Sequence, residues 1–178
     1  MPETPRAGAA LIAVIADTHG LIDQRVLDAC AGADLIVHAG DVGARSVPGG
    51  ARAVLDQLER VAPVIVVRGN RDRHEEFGAS LPADAEGEAG GLRFVVAHTR
   101  RHLKAAHPDP AAEGIGLLIY GHTHQPEVRY RGHEHGRLPV IWLNPGTCTA
   151  ALAWDPRPSM AYVRVRDGEP EARIVFFA

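Results

Sequence analysis

The chain has 178 residues, 46% of them hydrophobic and 23% charged, with a formal net charge of −3 when histidine is neutral. That length suits one domain over residues 1–178 with a substantial buried core. No broad basic surface follows from such a charge balance, so a nucleic-acid duplex is not expected as partner, while a single nucleotide stays compatible.

In chain order, Ala10–Ala16 is an almost uninterrupted apolar run, the pattern of a strand covered on both faces. Asp23–Ala31 sets Val26, Leu27 and Cys30 at helical spacing and meets Gly32 as a stop. Asp34–Ala39 reads as a second buried strand. Ala51–Arg60 reads as a helix with Val54, Leu55, Leu58 and Val61 along one stripe, and Val64–Arg68 as a third strand. Strand–helix alternation of this kind implies parallel pairing through right-handed crossovers. Beyond Asn70 the pattern changes. Arg71–Glu88 is polar, holds Pro82 and Gly87, and is expected to be a loop with at most a short edge strand. Leu92–Ala97 reads as a strand, Arg100–Gly114 as loop and short helix broken by Pro108 and Pro110, and Gly116–Tyr120 as another buried strand. From Glu127 on, strands follow without helices between them: Glu127–Arg131, Val140–Asn144, Ala161–Arg166 and Ala172–Phe177. The fold class expected is α/β, with two mixed β-sheets packed as a sandwich and flanked by helices.

Five segments set a metal-binding side chain just past an apolar run. Asp17-Thr18-His19 follows Leu11–Ala16, Gly40-Asp41 follows Leu35–Val37, and Gly69-Asn70 follows Val64–Val67. His98 follows Phe94–Ala97, and Gly121-His122-Thr123-His124 follows Leu117–Tyr120. Asp, Asn and His are poor strand residues and good ligands for divalent metals. The intervals are 22 residues from His19 to Asp41, 29 to Asn70, 28 to His98 and 24 to His122, each about the length of a strand, a crossover and a strand. Successive donors can therefore sit at the same end of neighbouring parallel strands, the edge where open α/β folds place their chemistry. Asp17 and His19, like His122 and His124, are one residue apart, and in an extended turn such pairs point the same way.

Two aspartates, one asparagine and four histidines make seven donors, where one tetrahedral site needs four. With Asp41 bridging, seven donors supply four to each of two ions, and two ions roughly 3.5–4 Å apart serve in-line displacement at phosphorus. Carboxylate and amide oxygens mixed with imidazole, and no thiolate, suit Mn²⁺, Fe²⁺, Zn²⁺ or Ni²⁺ without choosing among them.

The series Asp17-x-His19, Gly40-Asp41, Gly69-Asn70-x-Asp72, His98 and Gly121-His122-x-His124 resembles the calcineurin-like metallophosphoesterase superfamily. The small size and the later Asn144-Pro145-Gly146-Thr147 are similar to its compact bacterial and archaeal phosphodiesterase branch, whose eukaryotic relative is the retromer subunit Vps29. The match runs from Leu11 to about Phe176. The resemblance implies Asp17, His19, Asp41 and His124 on one metal, and Asp41, Asn70, His98 and His122 on the other. It implies a metal-dependent phosphoesterase, most readily a phosphodiesterase, in which a metal-bridging hydroxide attacks phosphorus in line. A Vps29-like binding scaffold with little activity, a phosphomonoesterase and a nucleotide pyrophosphatase are the alternatives. A small phosphoester or nucleotide-like substrate and a homo-oligomer would both fit the branch.

Two positions depart from the family pattern. Arg71 stands where many members carry a histidine that protonates the leaving group. Arginine stays protonated and cannot act as that acid, although it can stabilise charge on a transferring phosphoryl group, so Arg71 is a candidate substrate contact. Thr99 and Arg100 follow His98 where glycine is common. No catalytic residue is assigned beyond the metal-bridging water.

Among the remaining residues, His38 inside its apolar strand is expected to serve core packing or a supporting hydrogen bond rather than direct ligation. Asp72 is expected to cap a turn or to orient a neighbouring ligand. His74, His102, His107, His133 and His135 lie in polar segments and are expected to be solvent-exposed, with His74 the best substitute acid among them. Arg100-Arg101 reads as a solvated face or a second anion contact, and Trp142 and Trp154 as core or interface. Cys30 and Cys148, far apart and in no metal-like spacing, read as reduced thiols in a reducing compartment. Met1–Ala9 has little positive charge for a signal peptide, and no run approaches the roughly 18 apolar residues of a membrane span, so a cytoplasmic location is expected.

Overall fold

The computed structural model describes residues 8–132, 139–149 and 157–177. His133, His135 and Trp154 lie outside the described residues. Two five-stranded sheets form the frame. The first takes β1 (Ala9–Ile15), β2 (Leu35–His38), β3 (Val64–Val66), β9 (Ser159–Arg166) and β10 (Glu169–Phe176) in the order β10-β9-β1-β2-β3. The second takes β4 (Asp84–Ala89), β5 (Leu92–Ala97), β6 (Leu117–Ile119), β7 (Glu127–Arg131) and β8 (Val140–Asn144) in the order β4-β5-β6-β8-β7. Both sheets are mixed. β1, β2 and β3 run parallel, with Ile12 opposite Leu35 and Ile36 opposite Val64, and β5, β6 and β8 run parallel in the second sheet.

Why the apolar runs are unbroken is visible in what each face touches. Ile12, Val14, Val37, Phe94, Val96, Ile119 and Leu143 meet in the layer between the sheets. Alternate residues of the first sheet, Ala13, Ile15 and Ile36, turn outward onto α1 (Gln24–Cys30) and α2 (Gly50–Leu58) through Val26, Cys30, Val54, Leu55 and Leu58. The second sheet turns Val95, Leu118 and Trp142 onto Leu103 of α4 (Arg100–Ala106). Each central strand is thus covered twice, which removes the apolar–polar alternation of a half-wet strand. Asp23 caps α1 by accepting from the Arg25 amide at 2.8 Å, and Thr99 caps α4 by accepting from the His102 amide at 3.2 Å.

The segment expected as a loop over Arg71–Glu88 is more ordered than its composition suggests. It forms a 3₁₀ turn over Asp72–His74, a short helix α3 (Glu76–Ser80), and the six-residue edge strand β4, antiparallel to β5. The tight turn Gly90-Gly91, with both φ positive, closes that hairpin. β10 also begins three residues earlier than expected, because Asp167-Gly168 makes a similar two-residue turn. Pro170 is tolerated there because β10 is an edge strand.

Candidate metal centre

Every donor segment leaves the carboxyl end of a parallel strand: Asp17 and His19 after β1, Asp41 after β2, Asn70 after β3, His98 after β5, and His122 and His124 after β6. Three segments therefore come from one sheet and two from the other, and they meet across the top of the sandwich. The ring nitrogens Nε2 of His19 and His124 approach to 3.3 Å, and His124 Nε2 lies 3.5 Å from Asp17 Oδ1. Donor atoms of Asp17, His19 and His124 lie within 4.8 Å of one another, as do those of Asp17, Asp41 and His98. Asn70 Oδ1 lies 3.1 Å from His98 Nε2 and also 3.1 Å from His122 Nδ1. The chain of approaches takes in all seven residues.

Asp17, Asp41 and His98 are buried. Burial disfavours the charged ring of His98, but the carboxylates of Asp41 and Asp17 outweigh it and hold its pKa above the usual histidine value. Burial likewise opposes the charge on Asp41, yet the hydrogen bond and charge of His98 hold its carboxyl below the usual range. His19 moves the other way, lowered chiefly by burial. His98 Nδ1 lies 2.8 Å from the Ala39 carbonyl oxygen, which can only accept, so Nδ1 carries a proton and a neutral ring leaves Nε2 as a lone pair facing Asn70 Oδ1 and Asp41 Oδ1. Without a cation Nε2 can carry a proton toward the Asp41 carboxylate, and a cation held between these atoms would take that proton's place.

The pairs Asp17/His19 and His122/His124 are not in the extended turns that their one-residue spacing suggested. Asp17, His19, Asp41, His122 and His124 have φ between 52° and 72°, and they are five of the six non-glycine residues with positive φ among the described residues. Left-handed backbone costs such residues about 1 kcal/mol or more each and persists where the surroundings hold it. Here a hydrogen-bond scaffold does so. His38 accepts the Gly40 amide at its Nδ1, 3.2 Å away, and donates from Nε2 to Thr18 Oγ1 at 2.9 Å, and that hydroxyl donates to the Val42 carbonyl at 3.0 Å. His38 is fully buried, which lowers its pKa to about 3 and keeps it neutral for this role. It supports the loops and does not join the donor cluster. Asp72 accepts the Gly69 amide three residues back and the Gly43 amide two residues beyond Asp41, each at 2.7 Å. Burial raises its pKa.

Several supporting residues had no role assigned from the sequence. Asn144 Nδ2 donates to the Gly121 carbonyl at 2.9 Å and to Thr123 Oγ1 at 3.0 Å, fixing the loop that carries His122 and His124. Thr147 and Thr149 donate from their hydroxyls to the carbonyls of Asp17 and Thr18, both at 2.8 Å. The Asn144-Pro145-Gly146-Thr147 motif is the signal that marks this region, but only contact with the first and last donor loops gives it a role. Gly69 is required for close approach, because a Cβ there would strike the carboxylate and amide of Asp41.

An open cleft of about 610 Å³ includes donors His19, Asp41, Asn70, His122 and His124 in its lining, together with Leu21, the turn Ala44–Val47, Arg71 and Thr149. The Arg71 amide donates to Asp41 Oδ1 at 2.8 Å, so this exposed arginine is anchored at the cleft by its backbone. His74 is exposed and is not among the cleft residues. His102 and His107 are half-buried rather than solvent-exposed, each 2.6 Å from a carboxylate, Asp84 and Glu113 respectively. Arg100 also lies away from the cleft. Its guanidinium sits 5.4 Å from the Trp142 ring centre and 5.9 Å from that of Tyr120, beside Glu127, which makes it a packing group of the outer face. Arg101 is exposed.

A family model described as the calcineurin-like phosphoesterase superfamily domain matches residues 11–168. The chain belongs to that superfamily, and its activity class is that of a phosphoesterase hydrolase. A protein of Methanothermobacter thermautotrophicus named "Probable metallophosphoesterase" is 32% identical over 174 residues, 93% of this chain and 91% of that one. The phosphodiesterase YfcE of Escherichia coli K12 is 32% identical over 155 residues, 79% of this chain and 80% of its own. A solved single-residue variant of Vps29 from Entamoeba histolytica shares the fold, with a TM-score of 0.66 at 23% identity, covering 94% of this chain and 99% of that one.

Proposed function

We propose that the chain is a phosphodiesterase with two divalent metal ions held at this centre, manganese first among the candidates. Asp17, His19, Asp41 and His124 would hold one ion, and Asp41, Asn70, His98 and His122 the other. The carrying observation is the convergence of seven oxygen and nitrogen donors from both sheets, with the His98 proton held on Nδ1 by Ala39 so that Nε2 is left for a cation. When bound, the metal pair supplies Lewis acidity and brings the pKa of coordinated water toward neutral. The chain's own residues do the rest. Arg71, fixed by its backbone beside Asp41, places a guanidinium for the non-bridging oxygens of the substrate. His38, Asp72 and Asn144 keep the donor loops in register.

The name of the YfcE relative supports a diester over a monoester. The Vps29 likeness is one of fold alone, and the complete donor set favours an enzyme over a binding scaffold. Buried, unpaired Cys30 and Cys148 support a reducing, cytoplasmic compartment; among the described residues no helix is long and apolar enough to cross a membrane.

The deciding experiment strips the protein of metal and adds back Mn²⁺, Ni²⁺, Zn²⁺ or Mg²⁺ while assaying a panel of mono- and diesters and counting metal per chain. Metal-dependent diester hydrolysis with two ions per chain is expected. Hydrolysis of monoesters alone, or no hydrolysis with any ion, would overturn the reading. Asp41→Asn is expected to abolish turnover, since it removes a negative bridging donor.

A further inference from the structure

Besides the donors, the cleft is lined by Leu21 and the turn Ala44–Val47, and nothing in the metal chemistry uses them. Leu21 is 59% exposed, the most exposed large apolar side chain among the described residues, and it stands two residues after His19. Beside it the chain turns tightly over Ala44–Val47, closed by the Val47 amide donating to the Ala44 carbonyl at 2.9 Å. That turn is anchored. Val47 packs so closely on Gly20 that a Cβ at Gly20 would lie 2.9 Å from the Val47 Cβ, and Glu75 accepts the Gly49 amide at 3.0 Å. Arg45 occupies a corner of the turn, exposed and lining the cleft, and among the described residues no carboxylate pairs with it. An exposed apolar side chain and a cation with which no carboxylate among the described residues pairs thus line the same opening.

We propose that Leu21 and Arg45 form a leaving-group subsite that selects a phosphodiester whose departing alcohol carries an apolar ring and a second anionic group. This rests on the phosphodiesterase reading above. With the reacting phosphate over the donors and Arg71 beside it, the departing alcohol extends across Leu21, whose exposed face covers a flat ring. The second anion reaches Arg45, where the planar guanidinium takes a carboxylate or phosphate in a two-point contact. A diester lacking either feature leaves one of the two groups in water, so selection arises from contacts away from phosphorus. Leu21 and Arg45 touch substrate without joining the chemistry.

The test measures kcat/KM of the Mn²⁺-loaded protein on three diesters of matched leaving-group acidity: aryl with a carboxylate, aryl without one, and alkyl. Wild type is expected to prefer them in that order. Arg45→Gln is expected to cut the ratio of charged to uncharged aryl ester about tenfold, and Leu21→Ala the ratio of uncharged aryl to alkyl ester about fivefold. Ratios that the two variants leave unchanged would overturn the subsite. Affinity of the same variants for the three corresponding phosphonates, read by calorimetry, separates the two claims. An inactive wild-type protein that still binds the charged phosphonate more tightly, and loses that preference in Arg45→Gln, sinks the phosphodiesterase reading and keeps the anion contact. Equal binding of all three phosphonates removes the subsite whatever the activity.

Discussion

The Nε2 of His38 lies 2.9 Å from Thr18 Oγ1, so a buried neutral imidazole from β2 holds the residue between two donors of the β1 loop. Thr18→Val keeps the shape and removes the hydroxyl, leaving the buried His38 N–H unpaired while the Val42 carbonyl keeps the Gly20 amide. The expected cost is about 1–3 kcal/mol of stability in chelator, read by thermal unfolding, and about a 10–100-fold loss of metal affinity. A variant with both quantities unchanged would show that this contact positions nothing.

Acid should weaken the metal-free protein through the same residue. Burial lowers the folded-state pKa of His38 from 6.5 to about 3, so between those values the unfolded chain binds a proton that the folded one refuses. Stability from this group is therefore full above pH 6.5 and is lost as pH falls toward 3, by on the order of a few kcal/mol. His38→Asn is expected to flatten that part of the pH profile. Urea midpoints of both proteins at pH 7 and 4.5, taken in chelator, give the comparison.

Gly69→Ala should disable the centre without touching a donor. The added Cβ would collide with the Asp41 carboxylate and amide, so either Asp41 or the β3 loop must move. Metal content per chain, measured by elemental analysis after dialysis, is expected to fall below that of wild type, and turnover to fall at least tenfold. Full metal content with wild-type turnover would contradict the tight fit.

Arg71 leaves the departing alcohol without a histidine acid at that position. Turnover is expected to fall steeply as the leaving-group pKa rises across a series of aryl diesters. A flat dependence, with chemistry shown to limit the rate, would mean another residue protonates the leaving oxygen.

Neither thiol should react in the folded state. Burial raises the Cys30 pKa to about 12 and pushes that of Cys148 up as well. Aromatic disulfide reagents are expected to modify no cysteine in native protein and two after unfolding. Rapid native labelling would place at least one sulfur in contact with solvent.

Much of the architecture was readable because it follows from burial. Strands covered on two faces have nowhere to put polar residues, so β1, β2, β5, β6 and β8 stand out as apolar runs with Asp, Asn or His just beyond. Short elements were harder. α3 has five residues and no apolar stripe long enough to show a period, and β4 alternates glutamate with small residues because it is an edge strand. Gly90-Gly91 was the one local signal for its hairpin. The half-buried state of His102 and His107, the removal of Arg100 to the face of Trp142, and the left-handed donor backbone carry no local signal at all.

The order and spacing of Asp17, His19, Asp41, Asn70, His98, His122 and His124 were present in the chain alone, since each of the five donor segments is tied to the end of its own strand. What joins them was not. Closure of two sheets across one edge, and the reach of His38, Asp72, Asn144, Thr147 and Thr149 from one loop to another, depend on residues from 20 to more than 100 positions apart. Contacts over such distances arise only when both layers are packed, so the donors could be named from sequence while their grip, and the lining of Leu21 and Arg45 in the same cleft, waited for the fold.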